Sequence, residues 1–130
     1  MRRAINLAAI HDGKLLLVKK KQVWILPGGK PEIGETDLEC LTRELSEELP
    51  QLTTMNYVQY GSFVGITPHA GDMLEAIVFL GEVNGEIKPS REISDAQWFG
   101  NFDGIFLSDI TKKIIESLKR DKYLKNEAHQ

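Results

Sequence analysis

Gly28-Gly29-Lys30-Pro31-Glu32-Ile33-Gly34-Glu35-Thr36-Asp37-Leu38-Glu39-Cys40-Leu41-Thr42-Arg43-Glu44-Leu45-Ser46-Glu47-Glu48-Leu49 is a glycine-rich loop that runs into a segment with helical spacing. At about 100° per residue, Leu38, Leu41, Leu45 and Leu49 fall within about 80° of one another and predict a narrow buried stripe. Thr36 followed by Glu39 reads as a capping box, and Asp37 adds negative charge at the positive end of the helix dipole. The start of the helix is therefore well specified, and its end is strained. Glu44, Glu47 and Glu48 share an arc of about 100° beside the stripe, where like charges at i,i+3 and i,i+4 cost about 0.2–0.5 kcal/mol per pair. The dipole adds about 0.3–1 kcal/mol against each of Glu47 and Glu48 in the last turn.

Two readings account for that face: a solvated acidic surface, or a set of hard oxygen donors for Mg²⁺ or Mn²⁺, whose charge turns repulsion into attraction. Spacing alone does not choose between them. The string of Gly29, five residues, Glu35, seven residues and Arg43-Glu44-Leu45-Ser46-Glu47-Glu48 resembles the Nudix box, the signature of hydrolases acting on a nucleoside diphosphate linked to another moiety. The resemblance implies that Glu44, Glu47 and Glu48 hold Mg²⁺ or Mn²⁺, with the Gly28 carbonyl as a further metal ligand. It also implies a metal-binding or catalytic glutamate in a loop ahead of a Trp-containing strand. Glu92, just before Ile93-Ser94-Asp95-Ala96-Gln97-Trp98-Phe99, matches that place, and Glu75 is the runner-up. Glu44 or Glu92 would be the general base. Arg43, four residues before Glu47, would pair with it and orient the carboxylates, while Glu35 secures the loop. In the family a glycine and an aliphatic residue close the box, where this chain has Pro50 and Gln51. Pro50 forces Leu49 out of helical geometry, so the helix is expected to end at or just before Leu49.

The 130 residues predict one domain, 1–130, with 42% hydrophobic and 27% charged residues and neither a repeat nor a low-complexity run. A net charge of −3 disfavours a nucleic acid polymer as partner and leaves a small nucleotide whose phosphates a metal and local cations can offset. The single Cys40 excludes an intramolecular disulfide and reads as a buried packing residue rather than a nucleophile. The apolar run from Ile5 to Ile10 is too short for a signal peptide, and no stretch reaches the length of a membrane span, which predicts a cytoplasmic protein. A homodimer stays open.

Residues 3–10 and 14–20 predict a β-hairpin about the His11-Asp12-Gly13 turn. Lys19, Lys20 and Lys21 then precede a Trp24-Ile25-Leu26 strand, as solvated charge or as a means of steering phosphates. Tyr57–Gly65 and Met73–Val83 read as strands around a loop holding Pro68 and His69, and Asn84-Gly85-Glu86 as a turn. His69 and Phe63 are candidates for base contact, with an ordinary polar loop and a core aromatic as the alternatives. Ser108-Asp109 caps a last helix with Ile110, Ile114, Ile115 and Leu118 on one face, and the polar tail from Lys122 is expected to fray. This order fits a mixed β-sheet between helices, an α/β/α sandwich as in the Nudix fold. The implied activity is Mg²⁺- or Mn²⁺-dependent cleavage of a nucleoside diphosphate linked to another group. Nucleoside triphosphates, oxidised ones included, lead on the short chain and the Pro-Gly-Gly-Lys approach to the box. ADP-ribose or nucleotide-sugar hydrolysis is the alternative, and a non-catalytic nucleotide-sensing domain is a third reading, against which the intact acidic residues argue.

Overall fold

The computed structural model describes residues 1–68 and 70–125, so His69 and the end of the tail lie outside the described residues. Eight strands and two helices follow in the order β1 (Arg2–Ala8), β2 (Ile10–His11), β3 (Lys14–Lys20), β4 (Val23–Ile25), β5 (Gly28–Gly29), α1 (Asp37–Glu48), β6 (Leu52–Ile66), β7 (Met73–Gly85), β8 (Ile93–Phe99) and α2 (Asp109–Arg120). The strands divide between two sheets. One is mixed, ordered β5-β1-β7-β6, with β1 parallel to β7 and the other pairs antiparallel. The second is antiparallel, β2-β3-β4 with β8 also on β3.

The expected hairpin survives only as the two-residue ladder Ile10↔Leu15 and His11↔Lys14. Residues 2–8 belong to the other sheet, because β1 aligns along its whole length with β7, some seventy residues away, which no local pattern announces. The Met73 strand extends to Gly85, and the Tyr57 strand begins at Leu52, with register shifts at Met55/Val58 and Gln59/Gly61.

Layering follows from side-chain alternation along the strands. Leu16 and Val18 of β3, with Ile77 and Phe79 of β7, join the core built on Cys40, Leu41, Leu45 and Leu49. Leu15 and Leu17, with Ala76 and Val78, join the core built on Ile110, Ile114, Ile115 and Leu118. Strands buried on both faces read as continuous apolar runs, as Leu15–Val18 does. The molecule is an α/β/α sandwich with a helix over each face.

Both helix starts are capped as the residues require. Thr36 Oγ1 accepts from Glu39 N at 3.1 Å, Glu39 Oε1 accepts from Thr36 N at 2.9 Å, and Ser108 Oγ accepts from Thr111 N at 3.1 Å. α1 ends at Glu48, and Leu49 leaves helical geometry at φ −137° ahead of Pro50. The buried face of α1 is rotated from the expected stripe: Leu38 is 41% exposed, whereas Cys40 and Glu48 are buried. α2 also covers the free edge of β6, where Asp109 accepts from Ile66 N at 3.0 Å and Lys113 Nζ donates to the Val64 carbonyl at 2.8 Å. The first residues of the tail do not fray: Tyr123 N and Leu124 N donate to the Leu118 carbonyl, and Leu124 is buried.

Candidate active site

The chain leaves β4 through Leu26-Pro27, and the Pro27 carbonyl accepts from Leu7 N at 2.9 Å. Gly28 and Gly29 then pair with Asn6 and Ile5 of β1. Gly28 sits at φ +142°, and a Cβ there would collide with the Ile5 backbone carbonyl. A Cβ on Gly29 would collide with the Glu44 carboxylate instead. The two glycines thus let one stretch of backbone pass between β1 and the carboxylate side of α1.

Arg43 fastens the following loop to the helix. Its Nε donates to Glu35 Oε2 at 2.6 Å, and its NH2 group donates to Glu35 Oε1 and the Lys30 carbonyl, each at 3.0 Å. The NH1 group donates to Glu44 Oε2 at 3.1 Å and lies 3.6 Å from Glu47 Oε1. These contacts hold the Glu35 carboxyl below its ordinary range and the guanidinium pKa above its own. Glu44 is pushed up, chiefly by burial, with the Arg43 hydrogen bond and charge opposing. A cation does lie among the carboxylates, and it is this arginine.

Glu48 has no such relief. It is 1% exposed, and the one hydrogen bond to its side chain is from Gly28 N to Oε1, at 3.1 Å. Burial pushes its carboxyl up to about 8; the Gly28 bond and the charge of Lys20 oppose the shift, and the charges of Glu44 and Glu92 add to it. The Glu48 carbonyl accepts from Ser90 N at 2.9 Å, which docks the turn carrying Glu92 against the end of α1. Glu92 itself lies 3.7 Å from Lys20 Nζ. Glu44, Glu47, Glu48, Glu92 and Gly28 therefore meet in one neighbourhood. Glu75 accepts from Ser62 Oγ at 2.7 Å, a contact across the β6–β7 pair. Cys40 is buried, its thiol pushed up to about 11 chiefly by that burial, and it packs in the core.

Beside Gly28 and Gly29 opens a cleft of about 420 Å³. Among the described residues Ala4, Val23, Ile25, Leu26, Leu74 and Ile110 give it apolar walls, Arg2, Lys20, Lys21 and Lys30 supply four cations, and no carboxylate lines it. Asn6 and Thr111 add polar groups, and Ile66, Thr67 and Pro68 lie along one side. Of these residues the sequence offered Lys20 and Lys21 for phosphates, set Pro68 in a loop and Ile110 in the core, and named Ile25, Leu26, Gly28, Gly29 and Lys30 as the approach to the box. The lining comes from four separate stretches of the chain, 2–6, 20–30, 66–74 and 108–114, and no spacing rule joins them.

The NUDIX domain family model covers residues 1–104. The chain belongs to the Nudix hydrolase family. Among curated Nudix relatives, an ADP-ribose pyrophosphatase of Methanocaldococcus jannaschii is 31% identical over 96 residues, covering 68% of this chain and 55% of that one. The NAD-capped RNA hydrolase NudC of Vibrio atlanticus is 34% identical over 101 residues, covering 73% of this chain and 36% of that one. The chain thus spans about half or less of the length of these relatives. A solved MutT NUDIX hydrolase from Burkholderia pseudomallei superposes with a TM-score of 0.77 at 26% identity, over 88% of this chain and 95% of that one.

The Nudix family works with divalent metal, and the donors here suit one in kind: carboxylate oxygens, among them those of Glu48, which is buried and in no ion pair among the described residues. Among the described residues no three acidic, histidine or cysteine side chains are yet gathered around one point. Arg43 instead pairs with Glu44 at 3.1 Å and lies 3.6 Å from Glu47. No helix among the described residues is long and apolar enough to cross a membrane.

Proposed function

We propose that this domain is a Mg²⁺- or Mn²⁺-dependent pyrophosphohydrolase that cleaves a nucleoside diphosphate linked to a further group, with nucleoside triphosphates, oxidised ones included, as the leading substrates. The observation that carries the reading is the sharing of Gly28 and Gly29 between two surfaces. One is the cluster of Glu44, Glu47, Glu48 and Glu92; the other is a cleft with apolar walls and four cations. The cleft is wide enough for a nucleoside, and its lysines and Arg2 suit phosphate oxygens.

Glu44, Glu47, Glu48 and the Gly28 carbonyl, with Glu92, would hold the metal. When bound, the ion supplies a water of lowered pKa and neutralises charge on the leaving phosphate. Glu44, half-buried and already raised in pKa, is suited to take a proton from the attacking water, and Glu92 on its exposed turn is the alternative base. Arg43 holds Glu44 and Glu47 from one side and Glu35 from the other, which fixes the loop that carries Gly28 and Gly29. Lys20, Lys21, Lys30 and Arg2 bind and orient the phosphates.

The test is product release across a panel of nucleoside triphosphates, ADP-ribose and nucleotide sugars with Mg²⁺. Turnover of at least one, with Glu48→Gln reducing it by about 100-fold or more, supports the proposal; no turnover of any favours a nucleotide-sensing domain. The archaeal relative gives ADP-ribose a specific claim as second reading. We place this activity in the cytoplasm as a further proposal.

A further inference from the structure

Asn6 is an odd residue for its place. It lies in β1 between the buried Ile5 and Leu7, in a strand paired on both sides, where asparagine is disfavoured. Its amide nitrogen donates to the Leu26 carbonyl at 3.1 Å and the Pro27 carbonyl at 3.4 Å. Both neighbours are acceptors, so the amide cannot flip: the NH₂ group must face them, and Oδ1 must face away. Among the described residues Oδ1 accepts no hydrogen bond, and no buried side-chain oxygen or nitrogen lacks a partner. That oxygen is therefore not fully enclosed, and Asn6 lines the cleft beside Gly28.

A fixed acceptor in the floor of an apolar slot discriminates, because a ligand that covers it without donating leaves it desolvated and unpaired. We infer that Asn6 is a specificity-determining residue whose Oδ1 accepts a hydrogen bond from an exocyclic amino group of the nucleobase bound in this cleft. An exocyclic amine projects beyond the ring edge and can reach an acceptor on the cleft lining, where Val23, Ile25 and Ile110 supply apolar surface for the ring. The inference rests on the cleft being the nucleoside site. It adds that the preferred substrates carry an amino-substituted base.

The alternative role for Asn6 is purely structural, a tether for the Leu26-Pro27-Gly28 turn. Matched nucleotides separate the two. Binding without turnover, measured in Ca²⁺, and kcat/KM in Mg²⁺ would be compared for ATP against purine riboside triphosphate, GTP against ITP, and CTP against its 4-deamino analogue. Wild-type protein is expected to favour the amino-bearing member of at least one pair by about tenfold or more. Asn6→Leu is expected to bring that ratio close to one, and any loss from the missing bonds to the Leu26 and Pro27 carbonyls falls on both members of a pair alike. A ratio unchanged by Asn6→Leu, with all nucleotides weakened alike, would overturn the inference and leave a tether. Should Asn6→Leu fail to fold, equal wild-type affinity within all three pairs would overturn it by itself. Selective binding with no turnover would leave Asn6 in this role and remove the hydrolase proposal; turnover without selectivity would do the reverse.

Discussion

Glu48 and Gly28, twenty residues apart, meet in a buried hydrogen bond of 3.1 Å that joins the end of α1 to the glycine loop. It is the polar contact made by a carboxylate otherwise enclosed in protein, and the consequences for stability and chemistry differ.

For stability, metal-free protein is expected to carry Glu48 as a liability. Its folded pKa of about 8 exceeds the ordinary 4.5, so the folded state binds the extra proton. The associated stability is complete below about pH 4.5 and is lost as pH rises through about 8. Chelator-treated protein should therefore melt at falling temperature between pH 5 and 8. Glu48→Gln should flatten this slope and melt about 5 °C higher than the parent at pH 8. Glu35, Asp72 and Asp109, whose carboxyls are held low, lose their contributions as pH falls and so act below this window. Parallel melting curves for parent and variant would contradict the account.

The two adjacent glycines are expected to fail differently. A methyl group on Gly28 meets the Ile5 backbone carbonyl, which cannot yield without disturbing the β1–β5 pair. Gly28→Ala should lower the melting temperature by about 5 °C or more. On Gly29 the obstacle is the far end of the Glu44 side chain, which can swing aside. Gly29→Ala should keep near-parental stability yet lose most activity, as thermal melts and turnover measured together would show.

Arg43→Lys tests the arginine hub. One ammonium cannot reach both oxygens of Glu35, the Lys30 carbonyl, Glu44 and Glu47 together. The expected outcome is a 10- to 100-fold loss in activity or Mn²⁺ affinity, with helix content by circular dichroism unchanged. Full activity would show that geometry around Arg43 is immaterial.

Local signals were read well from the sequence. The capping box at Thr36, the stop before Pro50 and the Ser108 cap depend on neighbours within a few residues, and each stands as expected. The reach of Arg43 to Glu47 follows from i,i+4 spacing. Features set by tertiary contact were not legible. A helical wheel ranks Leu38 with the buried leucines and sets Glu48 with Glu44 and Glu47 beside that stripe. Docking of β5 against α1 reverses them, since Gly28 N meets Glu48 and Leu38 faces outward. The assignment of β1 and β3 to different sheets depends on the parallel partner β7, and the cleft around Asn6 gathers residues from position 2 to position 114. Crowding of the glutamates, the strongest signal in the sequence, also turned out to be partly answered by Arg43. Glu48, bonded to Gly28 N, is the one of the three glutamates that Arg43 does not contact among the described residues.

The most direct test is a crystal structure of the protein grown in millimolar Mn²⁺, with anomalous diffraction to place the ion. Mn²⁺ is expected within about 2.2 Å of Glu48 and at least one of Glu44 and Glu47, with that carboxylate turned away from Arg43. Absence of an anomalous peak there, with Arg43 still holding both Glu44 and Glu47 and Glu48 bonded to Gly28 N alone, would contradict it.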